Sequence, residues 1–202
     1  MHRWCLAGGV VFPVIYFATL LLAGLLYPGY DQFSQAPSIL GASGAPHPEV
    51  FNTGMEVTAL AALLGAVGLF IGLHRLRAGL MLSVLAATSL GLFAVSVAMS
   101  GLFPLPNPLH YGFNLALAGA LTPLFGALAL RKGSRTRVAR GIVLTGFTIT
   151  VLLLAINLGL GGVVGAWNSG LWLRALALVS FPTIAFLCWT VRQNGIVQEI
   201  RN

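Results

Sequence analysis

Apolar residues along this chain gather into six long runs, over residues 4–26, 53–73, 79–103, 108–130, 141–160 and 171–191, with short polar, basic or proline-rich breaks between them. Each run has about the 20 residues that a helix rising 1.5 Å per residue needs to cross a bilayer core. None shows the strict apolar and polar alternation of a half-buried strand, so the pattern predicts an all-α membrane protein, a six-transmembrane-helix bundle. The first run, Trp4 to Leu26, is longer than the apolar core of a signal peptide and leads into Tyr27-Pro28 rather than a small-residue cleavage site, so it reads as a permanent span. Pro13 lies inside it and predicts a kink, tolerated in a membrane where neighbouring helices satisfy the freed carbonyl.

The breaks differ in kind. Pro104-Leu105-Pro106-Asn107-Pro108 stops the third run because proline lacks the N–H that a helix interior requires, and Asn107-Pro108 then reads as a cap with a favoured first-turn proline. A glycine-rich turn, Gly161 to Gly170, joins the last two runs. The break over 27–52 is the long one. Together with Glu56 it holds three of the four acids, Asp31, Glu49 and Glu56, and we expect it to form a structured lid over one end of the bundle. Tyr27-Pro28-Gly29-Tyr30 predicts a turn with Pro at the first central position and Gly at the second, and Ser38 is placed to cap a short surface helix. Thr53-x-x-Glu56 matches a capping box at the start of the second span.

Composition agrees with the pattern. With 57% hydrophobic and 7% charged residues and a mean hydropathy of +0.91, the chain is too apolar for a water-soluble domain. The formal charge of +7 sits between the runs rather than along one face, which orients a membrane protein and argues against a nucleic-acid partner. Six spans leave both termini on one side, and Arg3, Arg75, Arg77, the connector Arg131 to Arg140 and the tail all fall there, so that side is expected to be cytoplasmic. Asp31, His47, Glu49 and His110 fall on the other. Arginine dominates the basic residues, and Ala, Gly and Leu are abundant, which suits a GC-rich bacterial coding sequence, so the membrane is expected to be the bacterial cytoplasmic one. Cys5 and Cys188 lie near cytoplasmic helix ends, without spacing for a disulfide, metal or redox role. Gly68-x-x-x-Gly72 predicts close helix packing within the chain.

Candidate chemistry concentrates where the lid meets the helix ends. Asp31, His47 and Glu49 from the lid, Glu56 from the second span, and His110 and Asn114 from the fourth could form one polar cluster, with His110 and Asn114 four apart on a shared helix face. His47, Glu49 and His110 would suit a divalent ion able to activate water, but no HExxH or other regular ligand spacing accompanies them, and no cofactor is called for. A haem held by His47 and His110 is disfavoured, because neither histidine lies deep in a span. Arg174 lies about one turn inside the lid-side end of the sixth span, where a cation needs a partner: Glu56, Asp31, an anionic ligand group, or lipid phosphate reached by snorkelling. Asn157 either lines a pocket or pairs with a neighbouring helix.

Tyr27-Pro28-Gly29-Tyr30, the Ser38-x-Leu40-Gly41-Ala42 element, the approach from Pro48 to Asn52, and Phe103-Pro104 followed by His110 together resemble the domain-of-unknown-function family nine-nine-eight of small prokaryotic six-span membrane proteins. The resemblance implies a six-span fold over nearly the whole chain and carries no assigned activity. Ile39 and the residue after Pro104 depart from that family's pattern in lacking an acid, which counts against a carboxylate mechanism. The expected function is binding of a membrane lipid or lipophilic anionic molecule in an outward-facing pocket, with Glu56, His110, Asn114, Asn157 and Arg174 as its polar groups. A metal-assisted hydrolase or transferase using Asp31, His47, Glu49 and His110 is the second reading, and a small transporter or a structural partner of a membrane complex is the third.

Overall fold

The computed structural model describes residues 2–130 and 134–201. Of the basic connector, Arg131, Lys132 and Gly133 lie outside the described residues, as do the side chains of Arg135, Glu199 and Arg201. The described residues are helical and contain no strand. The helices are α1 (His2–Leu25), α2 (Pro48–Arg75), α3 (Leu80–Leu102), α4 (Thr122–Ala129), α5 (Ser134–Asn157) and α6 (Ser169–Arg201). A 3-10 segment, Pro108–Leu121, leads into α4, and the two together make the fourth of six stretches long and apolar enough to cross a membrane.

Small residues set the closeness of the core helices. A Cβ built on Gly68 of α2 would stand 2.5 Å from the Leu6 nitrogen of α1, and one on Gly65 would stand 2.6 Å from the Gly9 Cα. Gly72, one step further along α2, abuts Val191 of α6. The Gly68-x-x-x-Gly72 step is therefore filled by the chain's own helices, as dispersion-driven packing in lipid favours. Phe12 and Tyr16 of α1, Phe93 of α3 and Phe181 of α6 close the centre, with ring centroids 5.1 Å apart for Phe93 and Phe181 and 4.8 Å for Tyr16 and Phe181. Helix α5 packs chiefly on α6 and is the least buried of the six stretches.

Three expectations need correction. Helix α2 begins at Pro48 rather than near Thr53, so Thr53 is already inside the helix and the Thr53-x-x-Glu56 capping box does not form; His47 occupies the cap position, its side chain making no bond to the first N–H groups of the helix. A first-turn proline was the stronger signal, since its fixed φ suits that position and its missing N–H would have no helical partner there. The short helix of the lid runs Pro37–Gly41 as a 3-10 turn capped at Ala36, not at Ser38, and Leu40 is buried rather than on the surface. The fourth run is not a regular helix over its first half: Gly112, Phe113 and Asn114 take φ of 52°, 53° and 59°. Gly112 presses on α3 so closely that a Cβ there would lie 2.6 Å from Ser96 Oγ, and this approach, together with its positive φ, restricts the position to glycine. His110 and Asn114 consequently do not share a helix face. Asn107 does cap the segment, its Oδ1 accepting from the Leu109 N–H at 3.0 Å.

Candidate functional site: a lidded cavity

The lid is tied down by backbone groups. Its first turn closes through the Tyr30 N–H donating to the Tyr27 carbonyl at 3.2 Å, with Gly29 at φ 77°. Asp31 then accepts from the Phe33 N–H at 3.0 Å and from the Ser34 hydroxyl and N–H. The Ser34 hydroxyl and these amides favour the ionised carboxylate and hold its pKa below the ordinary value. Further along, Asn52 Nδ2 of α2 donates to the Gly41 carbonyl at 3.2 Å, and the Ser43 N–H donates to the Leu105 carbonyl in the α3 exit at 3.0 Å.

The firmest attachment is to the first turns of α6. Helix N-termini leave N–H groups without helical partners, and here the Leu171 N–H donates to the Phe33 carbonyl of the lid at 2.8 Å. Ser169 Oγ donates to the Ser34 carbonyl at 2.9 Å. Arg174 Nη1 donates to the carbonyls of Gln32 at 2.6 Å, Gln35 at 3.0 Å and Gly170 at 3.0 Å, while Nη2 reaches the Tyr30 hydroxyl. The guanidinium also lies over the Tyr30 ring, 5.5 Å from its centroid. Tyr30 in turn donates to the Ala36 carbonyl at 3.2 Å. Burial raises the Tyr30 pKa despite the adjacent cation, so the phenol stays a donor. Gly170 fits beneath this knot because a side chain there would collide with the Gln35 and Gln32 carbonyls. Among the described residues the hydrogen bonds of Arg174 thus run to backbone and tyrosine oxygens, none to a carboxylate.

Under the clasp lies a cavity of about 490 Å³, roofed by Ala36, Pro37 and Ser38 and floored by Phe93, Phe181 and Ile184. Its walls come from α1, α2, α3, the Pro108–Leu121 segment, α5 and α6. Among the described residues they are mostly apolar, with Tyr16, Ser38, Ser96, Ser100, His110, Tyr111, Asn114, Thr150 and Ser180 as polar members and no lysine or arginine. Of the residues expected to converge on one site, His110 and Asn114 line this cavity. Asp31 and Glu56 are exposed and outside it, as are His47 and Glu49, which face each other at 3.2 Å with half or more of each side chain accessible. Among the described residues no group of three or more His, Cys, Asp and Glu is arranged to hold a metal ion. Asn157 Nδ2 donates to the Leu153 carbonyl at 2.8 Å and the Trp172 carbonyl at 3.2 Å, which joins α5 to α6.

Sequence reasoning missed Thr150, a buried residue whose Oγ1 has no hydrogen-bond partner. The available signal was its spacing: Thr150 and Leu154, four apart on α5, both face the cavity. His110 was found, but not its local role. It is 5% exposed, its Nδ1 lies 3.0 Å from the Phe103 carbonyl oxygen, and its ring meets Tyr111 edge-on.

A family model described as a protein of unknown function (DUF998) matches residues 10–190. Neither the curated proteins nor the solved structures contain a match to the chain.

Proposed function

Since the chain belongs to the DUF998 family of helical membrane proteins, whose description specifies no activity, we propose from its geometry that it binds one small lipophilic molecule or a single acyl chain beneath the lid. The observation that carries this reading is the lidded cavity of about 490 Å³, with apolar walls and a few polar groups. That volume and lining fall within the usual range for small-molecule sites. The head of the bound molecule would be uncharged, because the walls hold no lysine or arginine and the Arg174 fork is committed to the lid carbonyls. An anionic head would have to displace those bonds.

Extraction in mild detergent followed by native mass spectrometry tests the proposal. Wild-type protein is expected to retain a lipophilic adduct, or to take one up from added monoacylglycerol. Ala177→Phe, which sets a ring into the cavity from a buried wall position, is expected to lower that occupancy about tenfold, the usual scale for overfilling a packed site. Wild-type protein that neither retains nor takes up such a molecule would refute the reading.

The same proposal sets the lid on the outer face of a bacterial cytoplasmic membrane. Arg75 at the end of α2, Arg137 and Arg140 near the start of α5 and Arg192 late in α6 all belong to the helix ends away from the lid, in keeping with cytoplasmic enrichment of basic residues. Reporter fusions at Arg135 are expected to be active in the cytoplasm and fusions at Ser43 outside it. The reverse result would overturn this orientation.

A further inference from the structure

Among the polar residues of the cavity wall, Thr150 and His110 are buried and each keeps an atom with unused hydrogen-bonding capacity, and their chemistry narrows what the cavity can hold. Hydroxyls elsewhere in the bundle are satisfied by the carbonyl one turn back: Thr148 by Leu144 at 3.0 Å, Ser180 by Leu176 at 2.8 Å and Thr183 by Val179 at 2.7 Å. Thr150 and Thr190 are exceptions, and of the two Thr150 lines the cavity. The Thr150 Oγ1 is buried and has no partner. A buried hydroxyl without a bond carries a desolvation cost that a bound acceptor would relieve.

His110 supplies the second atom. A carbonyl oxygen can only accept, so the 3.0 Å contact with Phe103 O requires the hydrogen to sit on Nδ1. In the neutral ring Nε2 is then a bare lone pair, an acceptor by necessity. Among the described residues the His110 ring makes its one hydrogen bond at Nδ1, so no side chain donates to Nε2.

We infer that the cavity selects an uncharged amphiphile that presents a free hydroxyl to His110 Nε2 and an ester or similar oxygen to the Thr150 hydroxyl, the chemistry of a monoacylglycerol. This rests on the lipophilic-binding reading and deepens it by assigning the head group. Charged heads are disfavoured because no described lining residue is a lysine, arginine, aspartate or glutamate. A hydrocarbon alone would leave both atoms unpaired.

The test compares 1-monopalmitoylglycerol with its di-O-methyl ether, which keeps the chain and ester but cannot donate a hydrogen bond. Binding of each to purified protein is followed by native mass spectrometry titration. Wild-type protein is expected to bind the free diol about tenfold more tightly, the scale on which an unpaired buried acceptor is rejected. His110→Phe should bring the ratio to about one. Thr150→Val should weaken both ligands alike and leave the ratio unchanged, while the ligand-free variant melts no lower than wild type because the lost hydroxyl had no partner. Equal binding of the two probes to wild-type protein would overturn the head-group assignment and leave lipophilic binding standing. A preference for the diol that persists in folded His110→Phe would overturn it too, and binding of neither probe would remove both readings at once. Should His110→Phe fail to fold, the wild-type ratio and the Thr150→Val pair still decide the matter.

Discussion

Replacing Arg174 by leucine is expected to free the lid while leaving the bundle assembled. The guanidinium bonds the Gln32, Gln35 and Gly170 carbonyls and the Tyr30 hydroxyl, and it is half-buried, so leucine would leave the Gln32 carbonyl without a donor and take the charged donor from the others. Hydrogen bonds to charged groups contribute about 1.5–3 kcal/mol each, and water can replace part of that at a half-exposed site. A net loss of about 3 kcal/mol for lid docking corresponds to a roughly hundredfold rise in the open population. Hydrogen exchange reads this at the Leu171 amide, bonded to Phe33 O, and at the Gln35 amide, bonded to Asp31 O. Amides in the middle of α2 and α3 should be unaffected. Lysine at 174 should recover only part of the protection, because a point ammonium cannot span the lid oxygens as a planar fork does. Unchanged exchange at Leu171 in Arg174→Leu would show that the clasp is not what holds the lid.

Gly68→Leu is expected to be the most damaging single substitution, because its Cβ would press on the backbone of α1. The nearest atoms are the Leu6 nitrogen at 2.5 Å and the Cys5 carbonyl carbon at 2.9 Å, neither of which can rotate away. Relief requires α1 to move off α2, and the shift would propagate to Phe12 and Tyr16 in the aromatic cluster. Overpacking of this kind costs about 3 kcal/mol or more. The measurement is the thermal midpoint of detergent-solubilised protein, with Gly91→Leu as a control: a Cβ at Gly91 meets nothing within 4 Å. Equal midpoints for the two variants would show that the α1 and α2 crossing can open to admit a side chain at Gly68.

The six apolar stretches, the proline break after α3 and the turn at Tyr27 could be read directly from the chain, because length, hydropathy and the backbone limits of proline and glycine act locally. The irregular backbone at Gly112 to Asn114 could not. Its composition is as apolar as a helix, and what bends it is contact with Ser96, sixteen positions earlier. Arg174 was conspicuous as a cation at the end of a span, but its partners are main-chain oxygens of the lid, which every residue carries and no sequence distinguishes. The acids drew attention to the lid, and the structure puts Asp31 into a local turn and leaves His47 and Glu49 facing outward. Thr150 was hidden among other hydroxyls on α5 because only the absence of a partner sets it apart.

The light seating of α5 bears on how the cavity would exchange its contents. This wall helix leans chiefly on α6, and in a bilayer acyl chains can replace protein side chains along its free flank at little cost, since lipid tails are as apolar as leucine. A solute already dissolved among the tails would therefore arrive sideways through that flank without crossing water. Occupancy would then follow a compound's partition coefficient rather than its aqueous concentration, so affinities measured at different detergent or lipid loads become comparable only when expressed per mole of amphiphile.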